Sequence, residues 1–228
     1  MAEFEGFPKV TFSFLKGLAR NNDKAWFEAH RADYEAGYVE PAKAFVSAIG
    51  PRLKKVSKTI SYDPRINGSI FRINRDVRFS KDKSPYKPHL DLWFWEGERR
   101  GWDSPGFFFR MFHDRLILGA GMHGFEKDLL ARYRDAALDE KAGKALIKVM
   151  KDVEKTSLTM GAPERKKIPR GFDAEHPRAE QLLRESLFAH QETKLPKEAS
   201  SARLVDYCVD RFKAGRGINA WLLANVSH

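Results

Sequence analysis

The chain has 228 residues, 42% of them apolar with 17 Phe and 5 Trp, and its 41 Lys and Arg against 31 Asp and Glu give a formal charge of +10. That is enough apolar side chain for an ordinary core in one domain spanning residues 1–228, and it excludes a disordered chain. The single Cys208 excludes an intramolecular disulfide framework and a Cys-rich zinc module, and no run of about 18 apolar residues is present to cross a membrane.

The first sixty residues predict helices. Phe12, Leu15 and Leu18 recur at helical spacing, and Asn21-Asn22-Asp23 offers a stop followed by an N-cap. A second helix would carry Trp26, Phe27, His30 and Tyr34. Pro41 suits the first turn of a third, with Phe45, Ile49, Leu53 and Val56 on one face and Gly50-Pro51 expected to kink or interrupt it.

The middle predicts strands. Ile70–Arg75 alternates, with Phe71 and Ile73 on one side and Arg72 and Asn74 on the other; His89–Trp95 repeats the pattern. A Gly- and Pro-bearing connection leads to Phe107–Phe112, and His113-Asp114 reads as a tight turn before Arg115–Ala120. Strands joined by short turns pair antiparallel, so the expected fold is α+β: a meander of about four strands packed by N-terminal and C-terminal helices.

Helical spacing returns at Leu129, Leu130 and Tyr133, and again at Leu146, Ile147, Met150 and Val153. Pro163–Pro177 is a basic loop, followed by a short helix at Leu182-Leu183 and an edge strand at Leu187–Gln191. Ser201 can cap a last helix carrying Leu204, Val205, Cys208 and Phe212, which Gly215-Arg216-Gly217 should break before Trp221. Cys208 on that apolar face reads as a buried, inert thiol.

The positive charge has an address. Between Arg52 and Lys87, eleven basic residues face three acidic ones, a net +8 within 36 residues; Arg165-Lys166-Lys167 and Arg170 form a smaller patch. A localised field of this kind draws phosphates, nucleic acid or an acidic protein partner. The densest polar stretch is Arg75-Asp76-Val77-Arg78-Phe79-Ser80-Lys81-Asp82-Lys83-Ser84-Pro85-Tyr86-Lys87. Arg75 and Arg78 offer forked donors to a phosphate or carboxylate, with Lys83 and Lys87 as further cations and Tyr86 supplying a flat face and a hydroxyl. Asp76 and Asp82 could orient the two guanidinium groups. The same residues also read as an ion-pair clamp that fixes the loop, and both readings stand on sequence grounds.

This stretch, with Asn21-Asn22 and Trp26-Phe27 before it, resembles a widespread bacterial and fungal family of conserved hypothetical proteins catalogued as a domain of unknown function. Gly119-Ala120-Gly121, Pro169-Arg170-Gly171-Phe172 and His176-Pro177 extend the resemblance along most of the chain. The resemblance implies a single intracellular domain, no established activity and no catalytic residues to carry over. His123 is a departure, standing where relatives are expected to hold an aromatic or other bulky residue.

Other motifs carry less. Gly119–Gly124 matches G-x-G-x-x-G, but the strand before it leaves a hairpin and Asp139 and Glu140 precede a helix, unlike a dinucleotide fingerprint. Its surviving content is an anion site at a glycine turn, helped by Arg78 and Lys83. Gly106–Phe112 partly echoes an RNA-recognition strand, with Trp93, Trp95 and Trp102 as stacking candidates. His89 and Asp91 share a strand face, as metal ligands would, yet no H-E-x-x-H or acidic cluster accompanies them, so no metal is expected, and no cofactor either. The leading expectation is a cytoplasmic domain binding an anionic small molecule or nucleic acid at the basic strand–loop–strand. An enzyme using Asp76, Asp82, Tyr86 or His89 as acid or base is an alternative, as is an adaptor for an acidic protein; no membrane is involved, and the oligomeric state is left open.

Overall fold

The computed structural model describes residues 3–97 and 103–227. Helices lead, strands follow in the middle, and two further strands fall between the later helices before a long last helix, as an α+β fold. The sheet has six strands in the order β1 (Ile60–Ser61), β2 (Leu90–Glu96), β3 (Gly106–Met111), β4 (Arg115–Met122), β6 (Leu187–Lys194) and β5 (Thr159–Met160). The count of six departs from the meander of about four expected: β2, β3 and β4 are three of its strands, the fourth at residues 70–75 is absent, the expected edge strand is β6, and two-residue β1 and β5 add the edges. Leu187–Lys194 is therefore an inner strand, bordered by β5 through Thr159 opposite His190.

Two compact units divide the chain. The first comprises Met1–Phe94, Phe108–Leu118 and Glu192–Val209; the second comprises Trp95–Phe107, Gly119–Gln191 and Asp210–His228.

In the first unit, α1 (Lys9–Arg20) buries Thr11, Phe14, Leu15 and Leu18, a stripe at i, i+3, i+4 and i+7. Asn21 ends it and Asp23 caps α2 (Lys24–Ala29), accepting from the Trp26 amide at 2.9 Å. The expected second helix is really α2, a single turn α3 (Arg31–Tyr34) and a π-helical turn at Glu35–Val39. Next, α4 (Glu40–Val56) starts with Pro41 in its first turn and runs on through Pro51 without the expected interruption. The buried face Phe45, Val46, Ile49 and Leu53 supplies the packing that offsets the lost backbone bond. Phe45 and Phe7 both meet Phe109 of β3, at 5.2 and 6.3 Å between ring centres.

Residues 70–75 do not form the expected strand. They pair with the chain ahead only at Ile70 opposite Leu92 and Asn74 opposite Tyr86. Four steps along one side thus face six along the other, so no regular ladder closes. Pro88, which has no amide to donate, sits in the longer side.

The second unit is built on α5 (Lys127–Leu138), α6 (Glu140–Glu154) and the C-terminal part of α7 (Leu204–Asn225). Tyr133, Leu146, Met150, Ile218, Trp221 and Leu222 form its core with Met122 and Leu187. Contrary to expectation, α7 continues through Gly215 and Gly217. A Cβ at position 215 would lie 2.5 Å from Ala120 Cβ, so this glycine serves close packing. Arg178 is buried and donates to the carbonyls of Ala137, Leu138 and Asp139 at 3.0, 2.8 and 3.1 Å, satisfying the end of α5. Cys208, on α7, is buried.

Candidate functional site

The Arg75–Lys87 stretch is a loop pinched at its base by two backbone bonds, Arg75 N–H to Pro85 O and Lys87 N–H to Ile73 O, both 2.8 Å. Its two arginines are turned on its two aspartates. Arg75 donates to Asp82 at 2.5 Å and to the Ser84 carbonyl at 3.1 Å. Arg78 grips Asp76 with two donors, at 3.0 and 2.7 Å, and lies 5.8 Å from the ring of Phe79, which is 96% exposed. Lys83 donates to Val77 O at 3.0 Å.

Two carboxylates are tuned by these contacts. Asp76 is held at about 2 by the guanidinium of Arg78 and by its amide. Asp82 is held at about 2 by the hydroxyl and amide of Ser84 and then by Arg75. Both are therefore ionised at neutral pH and carry no proton to give. Tyr86 is buried, with its ring stacked 4.2 Å from Phe27, and burial raises its hydroxyl above the ordinary value.

Asn22 explains how the loop is held. Its amide donates to Tyr86 O at 2.9 Å and its carbonyl accepts from Tyr86 N–H at 3.0 Å. A carboxamide thus imitates a neighbouring strand, and of the Asn21-Asn22 pair only Asn21 acts as the helix stop. Sequence alone could not reveal that role, because the partner lies 64 residues away.

Lys87 belongs to a different neighbourhood from the rest of the motif. Its ammonium is 3.9 Å from Asp91 and 5.1 Å from the centre of Phe71. Asp91, 12% exposed, accepts from His89 Nε2 at 3.2 Å and from Arg110 Nε and Nη2 at 2.6 and 3.2 Å. Burial works to raise the Asp91 carboxyl, but the bonds from His89 and Arg110 prevail and hold it below the ordinary carboxylate range. Lys87 shows the reverse: partial burial pulls its ammonium below the usual lysine value, since one carboxylate at 3.9 Å repays little of the lost hydration.

Strand alternation builds the rest of the surface. Asp91 and Trp93 project from one face of β2, and Arg110, paired to Asp91, marks the same face of β3 with Phe108 and Phe112. The ring of Phe112 lies between His89, at 4.9 Å, and the Arg115 guanidinium, at 3.7 Å. The opposite face carries Leu90, Leu92, Phe94, Phe109 and Met111, all buried. Two ring nitrogens on the polar face, His89 Nδ1 and Trp93 Nε1, are buried and have no partner among the described residues. The cluster thus offers two full positive charges, one carboxylate and two idle nitrogen sites beside flat apolar rings.

The remaining candidates lie elsewhere. Gly119 and Gly121 are inside β4, in antiparallel company, and the following amides are taken: Gly124 N–H by Ser186 Oγ and Phe125 N–H by Glu185 O. That removes the dinucleotide reading and the glycine-turn anion site with it. In the second unit, a groove of about 760 Å³ is lined by Glu96, Asp103, Glu126 and Asp128 with Lys127 and Arg132, and by none of the motif residues. Trp95 is buried, and Trp102 lies outside the described residues. Among the described residues, no three His, Cys, Asp or Glu side chains gather to hold a metal. No described helix is long and apolar enough to cross a membrane.

A family model of conserved hypothetical proteins, DUF2461, matches residues 10–221. The chain belongs to that family. The match takes in the Asn22 contact, the pinched loop and the Asp91 cluster together. No curated protein matches the chain.

Proposed function

We propose that this DUF2461 protein acts in the cytoplasm by binding a small anionic ligand, phosphate- or carboxylate-bearing, on the β2–β3 face at Lys87 and Arg110. The observation that carries this reading is the under-neutralised Lys87, half-buried at 3.9 Å from a carboxylate already engaged by Arg110 and His89. An anion there regains for the ammonium what burial removed. Trp93 Nε1 adds a free donor, while Phe108, Phe112 and Trp93 suit a ligand with a flat apolar body. In this account Arg75, Asp76, Arg78, Asp82, Lys83 and Tyr86 form the frame that sets Lys87 in place.

The test uses phenyl phosphate as probe, by calorimetric titration. Lys87→Met and Arg110→Ala should each weaken binding about tenfold, the loss of one charge-assisted contact. Arg78→Ala should leave it nearly unchanged. Binding insensitive to both Lys87 and Arg110 would refute the site. Nucleic acid, also admitted by the basic run, would instead bind with affinity falling steeply as salt rises.

A second reading, an enzyme, is favoured by the His89–Asp91 pair. Of the four acid–base candidates, Asp76 and Asp82 are each engaged by an arginine and Tyr86 is stacked in the core. Only His89 has an orienting carboxylate, 3.2 Å away. If the protein turns over a phosphate ester, His89→Gln should abolish turnover while leaving phenyl phosphate affinity within a few-fold.

A further inference from the structure

The β2–β3 face is laid out in a pattern that a bare anion does not use. Asp91 is paired to Arg110 and His89 lies against Phe112, so numbers rise along β2 as they fall along β3, and Trp93 stands opposite Phe108. Three cross-strand rungs result, all within the first unit: His89 with Phe112 just past the strand ends, Asp91 with Arg110, and Trp93 with Phe108. Successive rungs on one face of a strand are two residues apart, about 7 Å. The charged rung thus stands midway between two aromatic ones.

Both aromatic rungs keep flat surface within reach of solvent. Trp93 and Phe108 are half-buried. Phe112 is overlaid by the Arg115 guanidinium at 3.7 Å, and that side chain, 41% exposed, presents an outer plane of its own. Glu192 neutralises Arg115 at 3.1 Å, so this residue adds a plane and little net charge. On the middle rung, Lys87 and Arg110 against Asp91 leave one positive charge. A phosphodiester, singly negative, balances it. A phosphomonoester, close to doubly negative at neutral pH, leaves an excess beside the Asp91 carboxylate.

We infer that the ligand of the Lys87–Arg110 face is a phosphodiester with a flat ring system on each side, the chemistry of two nucleosides joined through one phosphate. Its phosphate sits on the charged rung. One base stacks on Trp93 and Phe108, and the other on the Arg115 plane backed by Phe112. Each base reaches its rung through its own sugar. The inference rests on the anion reading given above and names the ligand class for that same site. Two sources carry this chemistry: a free dinucleotide and one step of a longer single strand.

Calorimetric titration of the intact protein compares thymidylyl-thymidine, which has two bases and one diester, with thymidine 5′-phosphate and phenyl phosphate. The two-base probe should bind at least about fivefold tighter than the one-base probe, the contribution of a second stacked base. Trp93→Ala and Arg115→Ala should each erase that advantage. Arg115→Lys, which keeps the charge and removes the plane from an exposed position, should lose as much as Arg115→Ala. Full affinity in Arg115→Lys, or in Trp93→Ala, would overturn the stacking and the inference with it. An oligothymidylate of about eight residues distinguishes the sources. Binding more than about tenfold tighter than thymidylyl-thymidine and falling steeply with salt identifies a longer strand, and anything less identifies the free dinucleotide. Phenyl phosphate binding with no advantage for the two-base probe overturns this inference alone; a protein that binds neither overturns the anion reading as well.

Discussion

Replacing Asn22 with Ala tests how the central loop is held. The side chain makes two hydrogen bonds to one residue, at 2.9 and 3.0 Å, in a partly buried position. Each is worth about 1 kcal/mol net, and the Tyr86 N–H and C=O would both be left without that partner. The expected loss is about 2–3 kcal/mol, or roughly 5–10 °C in Tm for a chain of this length. Urea unfolding followed by circular dichroism should show a lower midpoint with an unchanged slope. Asn22→Asp should fare little better: its carboxylate accepts from the Tyr86 amide but faces the Tyr86 carbonyl with no proton. A loss under about 0.5 kcal/mol in Asn22→Ala would refute the idea that this carboxamide anchors the loop.

Three further outcomes follow from the same geometry. Carbon-detected NMR titration should place the Asp76 carboxyl midpoint at about 2, rising toward 4 in Arg78→Ala; a wild-type midpoint near 4 would remove the Asp76–Arg78 pair. Asp91 also sits below its unfolded value, so its contribution is complete above the ordinary carboxylate range and is lost as pH falls through the lower folded value. Stability measured by urea midpoints should therefore fall less steeply with acid in Asp91→Asn, and an equal slope would contradict the burial and bonding described. Gly215→Ala gains about 1 kcal/mol of helix propensity but drives a Cβ to 2.5 Å from Ala120, an overpacking cost of roughly 1–3 kcal/mol. The net effect should be a lower Tm, and a higher one would show that the contact relaxes freely.

Much of this architecture follows from local rules visible in the sequence. The stripe of α1, the cap at Asp23, the hairpin turn at His113-Asp114 and the helices α5 and α6 each depend on neighbours within a few residues. Where local rules failed, packing decided. Pro51 and Gly215 both read as helix breaks, yet their helices continue because buried faces on either side outweigh the local cost. The strand at residues 70–75 failed for a reason of register: alternation at Phe71 and Ile73 is present, but the partner segment is two residues longer between bridges.

The candidate site was legible only in part. Composition and the motif located the charge, and they left ligand site and clamp as equal readings. The pairing of Arg75 with Asp82 and of Arg78 with Asp76 was within reach, since all four lie within eight residues. The junction of Lys87, His89 and Asp91 with Arg110 was not, because Arg110 comes from the next strand, 19 residues beyond Asp91. Its only trace was the arginine inside an otherwise Phe-rich run.

The proposed anion site at Lys87 and Arg110 lies beside Trp93. The most direct measurement is the Trp93 indole Nε1–H resonance, assigned by Trp93→Phe, during titration with phenyl phosphate. A saturable downfield shift is expected in the wild type, lost in Lys87→Met with the spectrum otherwise preserved. An indole signal that does not move, or that moves equally in Lys87→Met, would contradict it.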